Sequence, residues 1–220
     1  MFRIRFHGRG GQGMKTASRI LGSAAFHAGF VTQDSPTYGA ERRGAPMIAF
    51  TRIAEAPIRE RGAIAQPDLV LVADETLLSD PAALPLAGCG TQCTLVINSP
   101  KTAEVLRSTH AFHLQPFDLS NVGYLLCADF TALALDATHT LASLSTALGV
   151  AAGRLLGLSV EDCLAGLEDE LGTAHLTPEQ QAANIQLAQT VCAQIYAWPS
   201  LQQGQDDATG SGFAVGLIAR

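Results

Sequence analysis

The chain has 220 residues and a mass of 23.0 kDa; 47% of the residues are hydrophobic, 15% are charged, and the mean hydropathy is +0.19. This balance excludes a disordered chain and a solvated coiled coil, and the length suits one α/β domain with a helical C-terminal part. The net charge of −6 argues against a chain-wide nucleic-acid surface. Residues 1–61, however, hold ten basic and four acidic residues, a net +6 that suits a small anionic ligand or an acidic partner.

The first segment of the chain predicts a strand, a glycine loop and a helix. Residues 2–7 alternate apolar and polar side chains, which is strand periodicity, and a glycine-rich turn follows at 8–13. Apolar residues then recur at helical spacing from Ala17 to Ala28, with Gly29 as the stop.

The middle of the chain predicts a loop and further strands. Residues 34–46 are rich in Pro and Gly, which indicates a loop. Short apolar runs bounded by Pro, Gly and polar residues are typical of buried strands in a parallel sheet. We expect such strands, or half-buried ones, at 47–53, 68–73, 94–98 and 111–117.

The C-terminal part is rich in alanine and leucine and predicts helices. They are expected at 121–156, at 160–171 after Ser159 as N-cap, and at 178–197 after Thr177 as N-cap. We therefore expect a Rossmann-like α/β fold, with a largely parallel sheet flanked by helices, over residues 1–198. Residues 199–220 are rich in Gly, Gln and Ser and are expected to form a flexible tail.

The cysteines do not form a metal-binding pattern. Cys89 and Cys93 are close in sequence but have no second pair, so zinc and iron–sulfur spacings are absent and no metal site is predicted in this chain. The segment MFRIRFHGRGG has no apolar signal core, and no apolar run reaches about 18 residues. We expect a reduced, cytoplasmic chain with no membrane and no nucleic-acid partner.

The glycine loop is the strongest candidate site. Its pattern G-x-G-x-x-G, between a predicted strand and a predicted helix, lets backbone N–H groups and the helix N-terminus approach a phosphate. A tight strand–helix crossing would give the same pattern, and Asp34 stands near the position of a ribose-binding acid in a dinucleotide fold. A Walker A loop fits worse, because Met14 is inserted before the lysine. The candidate ligand-binding residues are Gly8, Arg9, Gly10, Gly11, Gln12, Gly13, Lys15 and Thr16.

Two motifs together resemble a known family. HGRGGQG at 7–13, followed by SPTYGAERRGAPMIAFTRI at 35–53, resembles the gamma subunit, or gamma domain, of the pyruvate:ferredoxin oxidoreductase family. These enzymes are the thiamine-diphosphate 2-oxoacid:acceptor oxidoreductases. The resemblance continues more weakly to the helices ending near residue 195, so it covers most of the chain except 199–220.

The resemblance implies a subunit of a catalytic complex. In that family, thiamine diphosphate and Mg²⁺ are held by thiamine-binding alpha and beta subunits, and [4Fe–4S] clusters by a ferredoxin-like subunit; a flavin subunit is a further candidate partner. The reaction is oxidative decarboxylation of a 2-oxoacid with coenzyme A, giving acyl-CoA, CO₂ and a reduced acceptor. The gamma portion is associated with coenzyme A access and subunit packing. The chain has no GDG-type thiamine motif and no cluster-binding cysteine run, so no catalytic residue is assigned to it.

The basic pair in the second motif has two candidate roles. Arg42 and Arg43 could clamp a phosphate of coenzyme A or pair with carboxylates of a neighbouring subunit, while an intramolecular pair with Glu41 is the plainer alternative. The 2-oxoacid stays open among pyruvate, 2-oxoglutarate, branched-chain acids and aryl acids such as phenylglyoxylate. A free-standing dinucleotide-binding oxidoreductase and a scaffold without a ligand are the alternative functions.

Overall fold

The computed structural model describes residues 1–36, 44–110, 119 and 122–196. The strands are β1 (Phe2–Arg9), β2 (Val31–Pro36), β3 (Pro46–Ala54), β4 (Leu69–Val72), β5 (Thr94–Asn98) and β6 (Tyr124–Ala128). The helices are α1 (Met14–His27), α2 (Ala103–His110), α3 (Phe130–Thr138), α4 (Leu144–Leu155), α5 (Val160–Thr173) and α6 (Pro178–Tyr196). Two short 3₁₀ helices lie at Glu75–Ser79 and Leu141–Ser143.

The six strands of the described residues belong to one mixed sheet with the order β2-β3-β1-β4-β5-β6. The four strands β1, β4, β5 and β6 are parallel to one another. Strand β3 is antiparallel to β1, and β2 is antiparallel to β3. Because the carboxyl ends of parallel strands lie at one edge, the loops after β1, β4, β5 and β6 meet there, which is where open α/β sheets bind ligands.

The two faces of the sheet are covered by unequal layers. Ile4 and Phe6 of β1 face the larger core, where α1, α4, α5 and α6 pack. The intervening residues Arg5 and His7 are buried on the other side. There, alternate residues of β4 and β5 pack under the segment 77–86 and α2. This second layer is thinner and carries the polar residues of β1.

The α/β fold with parallel strands and a helical C-terminal part is confirmed. The predicted strands at 2–7, 47–53, 68–73 and 94–98 are observed within one or two residues. Ser159 caps α5, since its Oγ accepts from the Asp162 N–H at 2.9 Å, and Thr177 Oγ1 accepts from the Gln180 N–H at 3.3 Å. The N-cap residues therefore predicted the starts of both helices correctly.

Two element predictions are wrong. Residues 34–36 are the end of β2, not part of a loop; as an edge strand β2 tolerates a proline, whose presence favoured the loop. Residues 124–128 form β6, not helix, because a short apolar run reads the same in a buried strand and a buried helix. The predicted helix 121–156 is thus a strand followed by α3 and α4. The predicted strand at 111–117 and the predicted tail at 199–220 lie outside the described residues.

Within the described part of the chain, none of the helices combines the length and the apolar character needed to cross a lipid bilayer.

Candidate functional site

The glycine loop joins β1 to α1 and is held by its own hydrogen bonds. Gln12 N–H donates to the Arg9 carbonyl at 2.9 Å, and Arg9 N–H donates to Gln12 Oε1 at 2.7 Å. Gly13, at the N-cap of α1, has φ +74°, a left-handed conformation that glycine adopts without strain. The first-turn amides of α1 have no partner inside the helix and carry the positive end of its dipole. These first-turn amides are the donors that the sequence analysis assigned to an anion, and that assignment stays a prediction.

Gly44 and Ala45 of the second motif form backbone hydrogen bonds with this loop. Gly10 N–H donates to the Ala45 carbonyl at 2.8 Å, and Gly44 N–H donates to the Gly10 carbonyl at 3.1 Å. Arg42 and Arg43 lie outside the described residues, but Arg43 is covalently joined to Gly44. The fold thus brings Gly44 and Ala45 of the second motif against Gly10, although 33 residues separate Gly10 from Gly44 along the chain.

Arg9 is tied to the protein by several partners. Its Nε lies 2.9 Å from Asp74 Oδ2, its Nη2 donates to Thr76 Oγ1 at 2.7 Å, and its Nη1 lies 3.5 Å from Asp80 Oδ2. A further bond runs from Nη1 to the Gly44 carbonyl at 3.3 Å. Two carboxylates therefore balance the charge of Arg9, and the side chain links the glycine loop to the segment after β4.

The carboxylate of Asp74 has a double role. It caps the 3₁₀ helix by accepting from Thr76 N–H at 2.9 Å, and it also pairs with Arg9. Burial opposes its ionisation, but the hydrogen bonds from Thr76 and Arg9 outweigh burial and lower the pKa of Asp74. Sequence reasoning missed the partnership, although Asp74 follows β4 and β4 lies beside β1.

Lys15 and Thr16 lie exposed on the first turn of α1. Thr16 also lines a cavity of about 220 Å³. Hydroxyl and amide side chains from α4 and α6 share this cavity, among them Ser145, Thr146 and Asn184. The glycine loop reaches α4 as well, since a Cβ added to Gly13 would stand 2.8 Å from Ser145 Cβ. The predicted loop residues therefore lie in one region, beside small polar side chains.

His7 is 1% exposed, and neither ring nitrogen has a hydrogen-bond partner within the described residues. Burial, together with the positive charge of Arg5, lowers the pKa of His7 to about 3. The imidazole is therefore neutral near pH 7. It does not end β1, which continues to Arg9.

Asp34 is badly placed for a dinucleotide site. It lies on the edge strand β2, and β3 separates β2 from β1. Its charge acts on Glu170 of α5. A ribose-binding acid of a Rossmann fold stands at the end of a strand next to the glycine-loop strand. The geometry therefore does not support the dinucleotide alternative.

One protein-family model matches most of the chain. The model of pyruvate ferredoxin/flavodoxin oxidoreductase matches residues 3–193. The chain therefore belongs to this family.

Two similar proteins indicate which subunit of this family the chain corresponds to. The chain is 36% identical over 183 residues to the pyruvate/ketoisovalerate oxidoreductases common subunit gamma of Thermococcus litoralis, covering 83% of this chain and 95% of that one. It is 49% identical over 112 residues to pyruvate synthase subunit PorC of Thermotoga maritima, a match that spans 51% of this chain and 57% of PorC. Within the family, the chain corresponds to the gamma subunit, as the two motifs indicated.

Solved structures agree in fold. The crystal structure of the Thermotoga maritima subunit superposes with a TM-score of 0.67 at 32% identity, over 87% of this chain and 95% of that chain. A 2-oxoglutarate:ferredoxin oxidoreductase from Magnetococcus marinus, with 2-oxoglutarate, coenzyme A and succinyl-CoA bound, shares the fold with a TM-score of 0.66 at 18% identity, over 90% of this chain and 31% of that one.

Proposed function

We propose that this chain is the coenzyme A-binding and assembly subunit of a cytoplasmic 2-oxoacid:acceptor oxidoreductase. The complex oxidatively decarboxylates a 2-oxoacid with coenzyme A, giving acyl-CoA, CO₂ and a reduced acceptor. Its thiamine diphosphate, Mg²⁺ and [4Fe–4S] clusters belong to the alpha and beta subunits and to a ferredoxin-like subunit. The chain contributes binding and positioning, and none of its side chains is assigned a catalytic step.

One observation carries the coenzyme A proposal: the hydrogen bonds that join Gly10 to Gly44 and Ala45. Because Arg43 directly precedes Gly44 in the sequence, these bonds support a role for the Arg42–Arg43 pair near the glycine loop. Coenzyme A has three phosphate groups, which need hydrogen-bond donors and cations together. Since Asp74 and Asp80 already balance Arg9, we assign the ligand contacts to the first-turn amides of α1, Lys15, Thr16 and the Arg42–Arg43 pair, and a shaping role to Arg9.

Steady-state kinetics of the assembled complex test the coenzyme A site. Lys15→Ala removes a cation from the first turn of α1 and should raise the KM for coenzyme A about tenfold, the loss of one charge-assisted contact of roughly 1.5 kcal/mol. The kcat at saturating coenzyme A should stay near wild type. Arg59→Ala, an exposed cation on the loop after β3, is the matched control. An unchanged KM in both Lys15→Ala and Thr16→Ala would refute the site.

Co-purification tests the assembly role. Arg42→Ala and Arg43→Ala together should reduce recovery of the thiamine-binding subunits with a tagged chain, while the melting temperature of the isolated chain stays the same. Arg59→Ala again serves as the control for a lost exposed cation. Full recovery of the partner subunits with the double variant would reject the assembly role, and it would leave the coenzyme A assignment to its own kinetic test.

A further inference from the structure

The cavity of about 220 Å³ beside the glycine loop is lined by residues of α1, α4, α5 and α6, with the exposed Thr16 at its rim. Sites for drug-sized ligands have volumes of about 300–1,000 Å³, so this cavity takes a smaller compound than a nucleotide or coenzyme A. Buried apolar side chains form its floor, namely Ile20, Leu167 and Leu171. The floor therefore suits a short hydrocarbon group.

Three hydroxyl groups in the cavity wall already use their protons within the protein. Thr138 Oγ1 and Ser145 Oγ donate to backbone carbonyls of their own turns at 2.7 and 2.9 Å, and Thr146 Oγ1 donates to Asn184 Oδ1 at 2.8 Å. The amide of Asn184 is held in this orientation, because its Nδ2 donates to the Gln180 carbonyl at 2.9 Å. A hydroxyl has one proton and two lone pairs, so these three oxygens keep only the capacity to accept.

Glu170 adds a carboxylate to this wall. Among the described residues that line the cavity, Glu170 is the one titratable side chain, and none is a lysine, an arginine or a histidine. Its partner Arg19 stands outside the lining, with Arg19 Nε 3.0 Å from Glu170 Oε1. The Arg19 side chain is 42% exposed and that of Glu170 only 11%, so water screens the arginine more than the carboxylate.

The charge of Glu170 is thus only partly compensated. Burial raises the pKa of Glu170 against the opposing effect of Arg19, and the nearby carboxylates of Asp34 and Asp169 raise it further. A positive charge inside the cavity would complete the compensation, and a negative one would meet Glu170 and the hydroxyl lone pairs.

We propose that this cavity binds a small primary ammonium ion that carries a short hydrocarbon chain. A primary ammonium has three N–H donors and no acceptor, which complements the carboxylate and the three hydroxyl oxygens. The hydrocarbon chain packs on Ile20, Leu167 and Leu171. The site does not depend on the coenzyme A proposal, whose phosphate contacts are assigned to the first turn of α1, although Thr16 borders both.

Calorimetric titration of the full chain with n-butylammonium chloride, without coenzyme A and at constant ionic strength, tests the proposal. Binding should saturate at one site per chain. Butan-1-ol has the same shape without the charge, and tetramethylammonium has the charge without N–H donors; both should bind at least about tenfold more weakly. Absence of saturable n-butylammonium binding would overturn the site. Equally tight binding of tetramethylammonium or of potassium ions would overturn its assignment to a primary ammonium.

Two variants locate the binding. Glu170→Gln keeps the size of the side chain but removes its charge, and should weaken n-butylammonium binding about tenfold or more. Glu168→Gln, at an exposed position of the same helix, is the matched control and should bind as the wild type does. An equal loss in both variants would show a general effect of charge and overturn the site.

A third variant tests the cavity without changing a charge. Ala174→Phe, at an exposed position of the lining, places a ring at the entrance and should also abolish binding, while the melting temperature stays near that of the wild type. This variant keeps the proposal testable if Glu170→Gln does not fold. Wild-type affinity in Ala174→Phe would place the ammonium ion elsewhere on the protein and overturn the proposal.

Discussion

Arg9 and Asp74 join the two loops at the ligand-facing edge of the sheet, with 2.9 Å between Arg9 Nε and Asp74 Oδ2. Arg9 leaves β1 and Asp74 leaves β4, so the pair connects neighbouring parallel strands where they end. The arginine of the glycine loop is therefore a structural link between the two loops.

The first prediction concerns the charge of this pair. Asp74→Asn keeps an acceptor for Thr76 but removes the charge that faces Arg9, and should cost about 1 kcal/mol of unfolding free energy at neutral pH. Asp80→Asn, whose carboxylate is 3.5 Å from Arg9, should cost less. Because folding lowers the pKa of Asp74, its contribution is present above the usual carboxyl range and is lost as pH falls through the lowered value. Urea denaturation at pH 7 and pH 3 measures this, and an equal loss at both pH values would contradict it.

The second prediction separates conformation from space in the glycine loop. Gly13→Ala places a Cβ at φ +74° and 2.8 Å from Ser145 Cβ, so it should cost about 2–4 kcal/mol. Gly11→Ala, at φ +98° with nothing within 4 Å, should cost only the conformational part, about 1–2 kcal/mol. Thermal denaturation of the two variants gives the difference.

A compensating change checks the cause of that difference. Ser145→Gly in the Gly13→Ala background removes the facing Cβ and should recover the packing part of the loss. Ser145→Gly alone should be mildly destabilising, since it adds a glycine to α4. If the double variant is no more stable than Gly13→Ala, contact with Ser145 is not the reason that residue 13 is glycine.

The sequence predicted the loop well because its evidence is local. A glycine pattern between alternating strand residues and a helical repeat needs no knowledge of the partner strands. Ser159 and Thr177 were likewise assigned as caps from their immediate neighbours, and both are observed as caps. The pairing of Arg9 with Asp74 depends instead on β1 and β4 being adjacent in the sheet, and periodicity does not contain strand order.

The sequence did not predict the antiparallel direction of β3 or the assignment of residues 124–128 to a strand. The prediction placed Asp34 where a ribose-binding acid would stand only if the next strand paired beside β1; the antiparallel β3 occupies that place. The strand β6 was assigned to a helix because Leu125 and Leu126 are buried in the sheet and read like helix core. Both differences come from tertiary pairing, which short segments do not encode.

The third prediction is a pH dependence that arises from His7. Its folded pKa of about 3 lies below its ordinary 6.5, so the unfolded chain binds more protons between these values. The stability contribution is complete above pH 6.5 and should be lost as pH falls toward 3, by up to about 1.4 kcal/mol per pH unit. In chemical denaturation, His7→Leu should reduce the dependence of the unfolding free energy on pH. The substitution His175→Leu, at an exposed position, should leave that dependence unchanged. An unchanged slope in His7→Leu would show that other groups cause the acid sensitivity.

The fourth prediction concerns the contact between α1 and α5. A Cβ on Gly166 would stand 2.3 Å from the backbone nitrogen of Ala24, and backbone cannot rotate away. Gly166→Ala should therefore separate the two helices and cost at least about 3 kcal/mol. Gly172→Ala, in the same helix with nothing within 4 Å, should instead stabilise the protein by about 0.5–1 kcal/mol through helix propensity. Differential scanning calorimetry should show opposite shifts in melting temperature, and a destabilised Gly172→Ala or a neutral Gly166→Ala would contradict the packing of α5 on α1.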